Sequence, residues 1–472
     1  MQLARFDPMR YLTLCTDYDG TLATEGTVFP ETVAALEALI SSGRRPVLVT
    51  GRELDDLQSV CSCLHLFEYV VAENGALLYQ PSTRAETLLA DRPPDTFVAA
   101  LRARGVGPIS VGRVIVATWE PHETVVLETI KDHGLELQVI FNKGAVMILP
   151  AGVNKATGLA AALSRMGLSP HNAVGIGDAE NDHALLALCE CGVAVANALP
   201  TLKGTADFVT TGARGAGVAE LIAALLRDDL ASHEPELERH HILLGVDPNG
   251  QEVRVRPYGE NILLTGTPGS GKSELADGLL RELQEANYTF CVIDPDGAHE
   301  SIPGAVSLGS SDRPPSVQEI VNLFKDPDQS GVINLSGLRP PLRESFFAEL
   351  LPHLAQLRAR TGRPHWLIMD SEQAPARAQL GLSVLQITAR PNLLTRAALA
   401  EVNLVLATGN SPQQMIREFC QITATAAPAM DPVALRVGEA LAWRPTARNA
   451  APFRLRIKDR DVSRTSDIRK VR

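Results

Sequence analysis

An apolar run, Tyr11 to Cys15, ends in Thr16-Asp17-Tyr18-Asp19-Gly20-Thr21-Leu22, and this stretch restricts the fold more than any other. The run reads as a buried strand. Two acids at i and i+2 leave its end on the same side if the extended direction persists. Clustered carboxylates repel one another unless a cation lies between them, so the pair suits either Mg²⁺ and phosphate chemistry or, taken alone, an ordinary acidic strand-to-loop turn. Gly20 permits a turn closed to most residues, and Thr21 offers a hydroxyl to a phosphate oxygen.

The next segments supply a sheet for that strand. Pro30 to Ser42 places Val33, Leu36, Leu39 and Ile40 on one helical face, and Gly43 ends it. Pro46 to Thr50 is a short buried strand closed by Thr50-Gly51-Arg52. A hydroxyl there suits a phosphate or a helix N-cap. Tyr69 to Ala72 is a third strand, turned by Glu73-Asn74-Gly75. Alternating strands and helices imply an α/β, doubly wound parallel sheet with ligands at the strands' carboxyl ends. Asp17, Asp19 and Thr50 then share one cleft. Residues 81–150 read as an antiparallel α/β insert sized for a cap, with helices near Pro94 to Arg104 and Pro121 to His133. Its expected strands are Val111 to Thr118, Leu135 to Phe141 and Ala145 to Leu149. The first pattern then resumes. Lys155 opens a helix running to Met166, placed to neutralise phosphate. The strand Ala173 to Ile176 leads into Gly177-Asp178-Ala179-Glu180-Asn181-Asp182. Asp178 is the natural third carboxylate for a hard cation, and Asp182 either holds that cation through water or orients Lys155.

Residues 11–226 resemble a haloacid-dehalogenase phosphatase of the Cof-like, sugar-phosphatase type. The resemblance rests on D-Y-D-G-T-L at 17–22, T-G-R at 50–52, E-N-G-A at 73–76, Lys155 and G-D-A-E-N-D at 177–182. It implies Asp17 as nucleophile, forming an aspartyl-phosphate, and Asp19 as general acid and then base. Thr50 and Lys155 would bind phosphate. Asp17, Asp178 and the backbone carbonyl of Asp19 would hold Mg²⁺, helped by Asp182. Gly20, Gly51, Arg52 and Asn74 would line the substrate side, the last two facing the cap.

The second half carries another phosphate motif. Asn261 to Leu264 leads to Gly266-Thr267-Pro268-Gly269-Ser270-Gly271-Lys272-Ser273, a G-x-x-x-x-G-K-S with a strand before and a helix after. Its N–H groups wrap phosphates, Lys272 reaches the outer ones, and Ser273 coordinates Mg²⁺. ATP is the implied ligand. Thr289 to Ile293 is a strand ending in Asp294-Pro295-Asp296-Gly297, and His365 to Asp370 is another. Asp370 is the Walker B acid. The domain resembles the additional-strand P-loop ATPases, particularly the HerA/FtsK/VirD4 kind that move nucleic acid. Those place a glutamate directly after the acid; here Ser371 stands there and Glu372 follows one residue later. Arg390, at a strand end, suits a γ-phosphate, a neighbouring copy in a homo-oligomer, or plain surface.

Five segments are therefore expected in the 472 residues: a phosphatase core at 1–80 plus 151–227, a cap at 81–150, a linker at 228–241, a P-loop NTPase domain at 242–445 and a basic tail at 446–472. The net charge of −11 argues against a protein that coats nucleic acid, though it leaves room for local contact through the tail. No apolar run reaches membrane-spanning length. Seven cysteines without framework spacing suit a cytoplasmic protein. The leading expectation is a Mg²⁺-dependent phosphatase for a small phosphorylated metabolite such as a sugar phosphate, fused to an ATP-binding domain. The alternatives are nucleic-acid end repair of the polynucleotide kinase/phosphatase kind, or a nucleic-acid-associated ATPase with an ancillary phosphatase domain.

Overall fold

The apolar run before Asp17 forms β1 (Thr13–Thr16), buried along its whole length as a strand covered on both faces must be. The computed structural model describes residues 9–299, 302–371, 383–447 and 451–457, so Glu372 and residues 458–472 of the tail lie outside the described residues. The chain divides into two compact units, Met9–Arg239 with Arg360–Gly362, and the remainder from His240.

In the first unit β1 is followed by β2 (Val47–Val49), β3 (Tyr69–Ala72), β4 (Leu77–Gln80) and β5 (Ala85–Leu88). The insert contributes β6 (Ser110–Val111), β7 (Val116–Trp119), β8 (Leu137–Asn142) and β9 (Ala145–Pro150). Then come β10 (Ala173–Gly177), β11 (Cys191–Ala194) and β12 (Phe208–Val209). The main sheet runs β12-β11-β10-β1-β2-β3-β4-β5. Pairing is parallel from β12 through β3 and antiparallel at β4 and β5. The chain builds outward from β1 through β2 on one side and through β10 on the other. The carboxyl end of β1 is thus the topological switch point, where such sheets open a crevice.

The insert folds as a four-stranded antiparallel sheet, β6-β7-β9-β8, under the helices Asp95–Ala103 and Glu123–Asp132. Alternation along β9 explains how it is held. Val146 and Ile148 pack with Phe97, Leu101 and Val126 of the helices, whereas Met147 and Leu149 pack with Ala76 of the main unit. Two expectations are corrected here. The strand expected over Val111 to Thr118 is two strands, because Glu73 draws the N–H groups of Arg113, Val114 and Ile115 onto its buried carboxylate at 2.7–2.9 Å. The main sheet also continues through the β4–β5 hairpin, so a cap beginning at 81 would cut between two paired strands.

The second unit holds β13 (Ile242–Val246), β14 (Glu252–Val255), β15 (Asn261–Gly266), β16 (Phe290–Asp294), β17 (Ala305–Leu308) and β18 (Ser330–Asn334). It continues with β19 (Trp366–Asp370), β20 (Ser383–Thr388), β21 (Leu404–Thr408), β22 (Glu439–Trp443) and β23 (Phe453–Arg456). Their order is β14-β13-β23-β22-β21-β15-β20-β19-β16-β18-β17. β15, which leads into the glycine-rich loop, lies between β20 and β21. One strand therefore separates it from β19, the strand that ends in Asp370. The helix Lys272–Glu285 follows the loop and buries Leu275, Leu279, Leu280 and Leu283, one face at helical spacing. β23 corrects the tail expected from 446 onward: Phe453–Arg456 is paired into this sheet through β22 and β13. Among the described residues no helix is long and apolar enough to cross a membrane.

Candidate active site

Five strand-end or helix-start segments meet at the carboxyl end of β1. Asp17 leaves β1 and is 4% exposed. Lys155, the first residue of the helix Lys155–Met166, is 1% exposed. Its position is set by the Asn154 capping box at the helix start. Lys155 Nζ donates to Asp17 Oδ1 at 2.6 Å and to Asp182 Oδ1 at 2.6 Å. Asp182 Oδ2 in turn accepts from the backbone N–H groups of Asp178 and Ala179, each at 3.0 Å. Asp182 thus contacts Lys155 directly, and both roles open to it in the sequence, orienting Lys155 and helping to hold a cation, stay open.

Burial, then the neighbouring Asp182, pushes the Asp17 carboxyl up to about 7, against the opposing pull of Lys155. Burial lowers the Lys155 ammonium, but Asp17 and Asp182 outweigh it and the net shift is upward. Burial also raises Asp178, with Lys143 opposing.

Asp19 lies nearer the surface. Its two oxygens are gripped by Arg52, Nε to Oδ2 at 2.6 Å and Nη2 to Oδ1 at 2.8 Å. Arg52 also pairs with Asp56 and stacks over the Tyr18 ring. Arg52, which by sequence could face the cap, spends its donors on these two acids. Asn74, also expected to face the cap, is buried in a left-handed turn (φ 54°), its Oδ1 accepting from Asn181 Nδ2 at 3.0 Å. Thr50 is buried at the end of β2, its hydroxyl accepting the Arg52 N–H at 3.1 Å. Gly51 sits beneath the cap residue Met147. Gly20 has φ +86°, and a Cβ there would lie 2.4 Å from Asp178 Oδ2, so no other residue fits without displacing that carboxylate.

Asp17, Asp178 and Asp182 each present an oxygen within 4.8 Å of the others, a group able to hold a metal ion. The donors are hard oxygens, as Mg²⁺ requires. The fit has a second support. Lys143, from the turn between β8 and β9, donates Nζ to the Asp19 carbonyl at 2.8 Å and to Asp178 Oδ2 at 2.9 Å, so a cation of the protein's own already lies on one carboxylate of this group and on the neighbouring carbonyl. Nothing in the local sequence singles out Lys143 or Asn197, and the E-N-G-A motif marks Glu73 without showing what its carboxylate holds. Asn197 donates to the Gly20 carbonyl at 2.8 Å.

In the second unit the phosphate-type loop is largely exposed from Thr267 to Gly269, and Gly269 and Gly271 take positive φ. Gly266 and Gly271 bracket the loop in buried positions, and Pro268 lies at its exposed crest. Ser270 Oγ meets Thr408 Oγ1 at 2.6 Å. Lys272 Nζ folds back onto the carbonyls of Gly266 and Thr267, at 2.9 and 3.1 Å. Burial lowers the Lys272 ammonium, with Asp370 opposing. Ser273 is exposed on the first turn of the following helix. Asp370 Oδ2 lies 3.1 Å from His299 Nε2, a partner that no motif in the sequence marks. Asp294 is spent on its own turn, accepting N–H groups from Gly297, Ala298 and His299.

Comparison with known proteins bears on each unit separately. The family model for haloacid dehalogenase-like hydrolases matches residues 14–101 and 111–222. A phosphoglycolate phosphatase of Haloarcula marismortui is 32% identical over 222 residues, 44% of this chain and 95% of that protein. One from Natronomonas pharaonis is 31% identical over 226 residues, again 95% of its length. The chain belongs to the haloacid dehalogenase-like hydrolases. A haloacid dehalogenase-like hydrolase from Bacteroides thetaiotaomicron has a solved structure that is 18% identical, covering 46% of this hydrolase and 100% of that chain with a TM-score of 0.41. Outside the hydrolase part, the Zeta toxin family model matches residues 251–325, which include the glycine-rich loop.

Proposed function

We propose that the first unit is a Mg²⁺-dependent phosphomonoester hydrolase working through an aspartyl-phosphate on a small phosphorylated metabolite. The observation that carries this is the buried Asp17–Lys155–Asp182 array beside the Arg52-held Asp19. Lys155 keeps one cation against the attacking carboxylate, where a phosphate dianion must arrive. Asp17 attacks phosphorus, and the leaving oxygen takes its proton from Asp19. Asp19 then accepts a proton from the water that cleaves the acyl-phosphate. Arg52 fixes the orientation of Asp19 and must release one oxygen for it to carry a proton. Asp17, Asp178 and the Asp19 carbonyl would hold Mg²⁺, which when bound lowers the charge barrier between carboxylate and phosphate. Thr50 and Lys155 would contact the phosphate, with Gly20 and Gly51 giving it room. The named phosphatases of similar sequence support a small ester, of the phosphoglycolate or sugar-phosphate class.

For the second unit we infer ATP binding at residues 266–273, with Ser273 and Asp370 toward Mg²⁺. The strand interposed between β15 and β19 supports the additional-strand ATPase kind. The Zeta toxin match favours a second reading, a P-loop phosphotransferase, and with it end repair of nucleic acid. Ser371 in place of glutamate supports slow hydrolysis.

The test is phosphate release from phosphoglycolate, sugar phosphates, nucleotides and 3′-phosphorylated oligonucleotides, each with Mg²⁺ and with or without ATP. Turnover of one small ester is the expected result. Preference for the oligonucleotides would replace this reading with end repair.

A further inference from the structure

Lys143 reaches the catalytic loop from the cap by a short, stiff route. Asn142 and Ala145 are paired across β8 and β9, so Lys143 and Gly144 alone make the turn, with φ 49° and 85°. Two central residues with positive φ define the tight hairpin turn whose twist matches its strands. The hairpin is anchored by Met147 and Leu149, packed against the main unit. The Lys143 ammonium is therefore delivered to the Asp19 carbonyl and Asp178 by fixed backbone rather than by a wandering loop.

Those two oxygens are also proposed ligands of Mg²⁺. An ammonium and a divalent ion cannot share them, since the two cations would lie within a bond length or two of each other. The Lys143 side chain is 46% exposed, and an ion pair that open to water holds weakly. A divalent ion of the right size has the advantage of charge and displaces it.

Displaced, the ammonium lies beside the face of the cap sheet next to its own hairpin. By register, Ala117, Trp119, Ile140, Ala145 and Met147 share the sheet face that lies toward Gly51, with Asn142 beside them. Trp119 is 54% exposed on that face. Such a surface offers a leaving group apolar contact, the Asn142 amide and the Lys143 cation. A polyhydroxylated leaving group would find few partners there; a short one ending in an anionic group would find Lys143.

We propose that Lys143 is a movable cation: it rests on the Mg²⁺ oxygens until the metal displaces it, and then reads an anionic group on the leaving group. Lys143 is thus the residue that selects acidic esters. The proposal rests on Asp17, Asp178 and the Asp19 carbonyl being the metal's ligands.

The experiment uses the full chain with Lys143→Met and Lys143→Arg variants. Mg²⁺ binding is measured by calorimetry without substrate, and kcat/KM is measured for phosphoglycolate and for glycerol 3-phosphate. Removing an internal competitor raises the competent fraction, so Lys143→Met binds Mg²⁺ about tenfold tighter than the parent. Loss of a charge-assisted contact lowers its kcat/KM for phosphoglycolate at least about tenfold, and that for glycerol 3-phosphate by less than about threefold. Lys143→Arg keeps the ester preference. Unchanged Mg²⁺ affinity in Lys143→Met overturns the exchange. An equal loss on both esters overturns the selection and leaves Lys143 a structural residue. Absence of Mg²⁺ binding in parent and variants alike overturns the ligand assignment beneath the proposal.

Discussion

The two candidate phosphate sites are built on opposite plans. The first gathers Asp17, Lys155 and Asp182 from segments far apart in sequence, and the three charges satisfy one another in the interior. The second is centred on one continuous loop whose lysine rests on the loop's own carbonyls, with Asp370 brought up from β19 and resting on His299. The difference teaches where each site keeps its cost. Charges that neutralise one another in the core are part of the fold, so the first site stands ready but cannot lose a member cheaply. A loop exposed from Thr267 to Gly269 contributes little to folding and has its chemistry only when a ligand arrives.

The largest expected effect is on the first plan. Asp17→Asn lowers phosphatase turnover at least about 10⁴-fold, as removal of an attacking group does, with an unchanged circular dichroism spectrum. Retained turnover would show that another group attacks. The comparison itself is tested by its two lysines. Lys155→Ala leaves Asp17 and Asp182 facing each other in the interior and costs about 3 kcal/mol in urea unfolding. Lys272→Ala changes stability by less than about 0.5 kcal/mol while abolishing ATP binding in an equilibrium assay. Equal stability losses would collapse the distinction.

Arg52→Gln frees Asp19, and kcat falls about a hundredfold with little change in KM, the mark of a group acting through a proton carrier. On the other side, Ser371→Glu places a glutamate directly after Asp370, the proposed Walker B acid, and raises ATP hydrolysis at least about tenfold. Failure of this variant to hydrolyse ATP faster would place the limit elsewhere in the second unit.

The smallest effect concerns a carboxylate shifted the other way from Asp17. Glu319 accepts the Ser316 N–H and hydroxyl in a helix capping box, pairs with Arg313, and is held down to about 2. A depressed folded-state pKa contributes stability that is fully present above the ordinary value of 4.5 and is lost as pH falls through about 2. Glu319→Gln should therefore unfold more readily than the parent at pH 6, with the two curves converging by pH 2. A constant gap across that window would assign the effect to shape rather than charge.

Residues whose partners lie nearby in sequence, or whose spacing repeats a local pattern, were legible in the chain. The strand-end acids Asp17 and Asp178, the helix-start Lys155 and the loop at 266–273 are of this kind, because each is tied to a strand or helix whose period shows. The partners of Glu73 were not, since its carboxylate is held by backbone N–H groups 40 to 42 residues onward. Lys143 bonds across 124 residues to Asp19, and nothing local marks a lysine in a hairpin turn as a ligand of the core. Two further strands, the edge strand β5 and the interior strand β23, failed for another reason. Ala85–Leu88 is mostly exposed and carries Glu86, so it lacks the alternation that announces a buried strand. Phe453–Arg456 alternates with arginines and reads as a charged tail until β22 lies beside it.

The Glu73 carboxylate has a mechanical meaning. By tying Arg113, Val114 and Ile115 to the turn after β3, it pins one end of β7 and leaves the other end, at Trp119, beside the hairpin tip. Four residues of strand make an arm of about 13 Å. Should the cap tilt on this fulcrum by about 5°, the far end travels about 1 Å, enough to lengthen a hydrogen bond past its useful range. A single buried acid would then gear small rotations near the sheet into on-and-off contact at the catalytic loop.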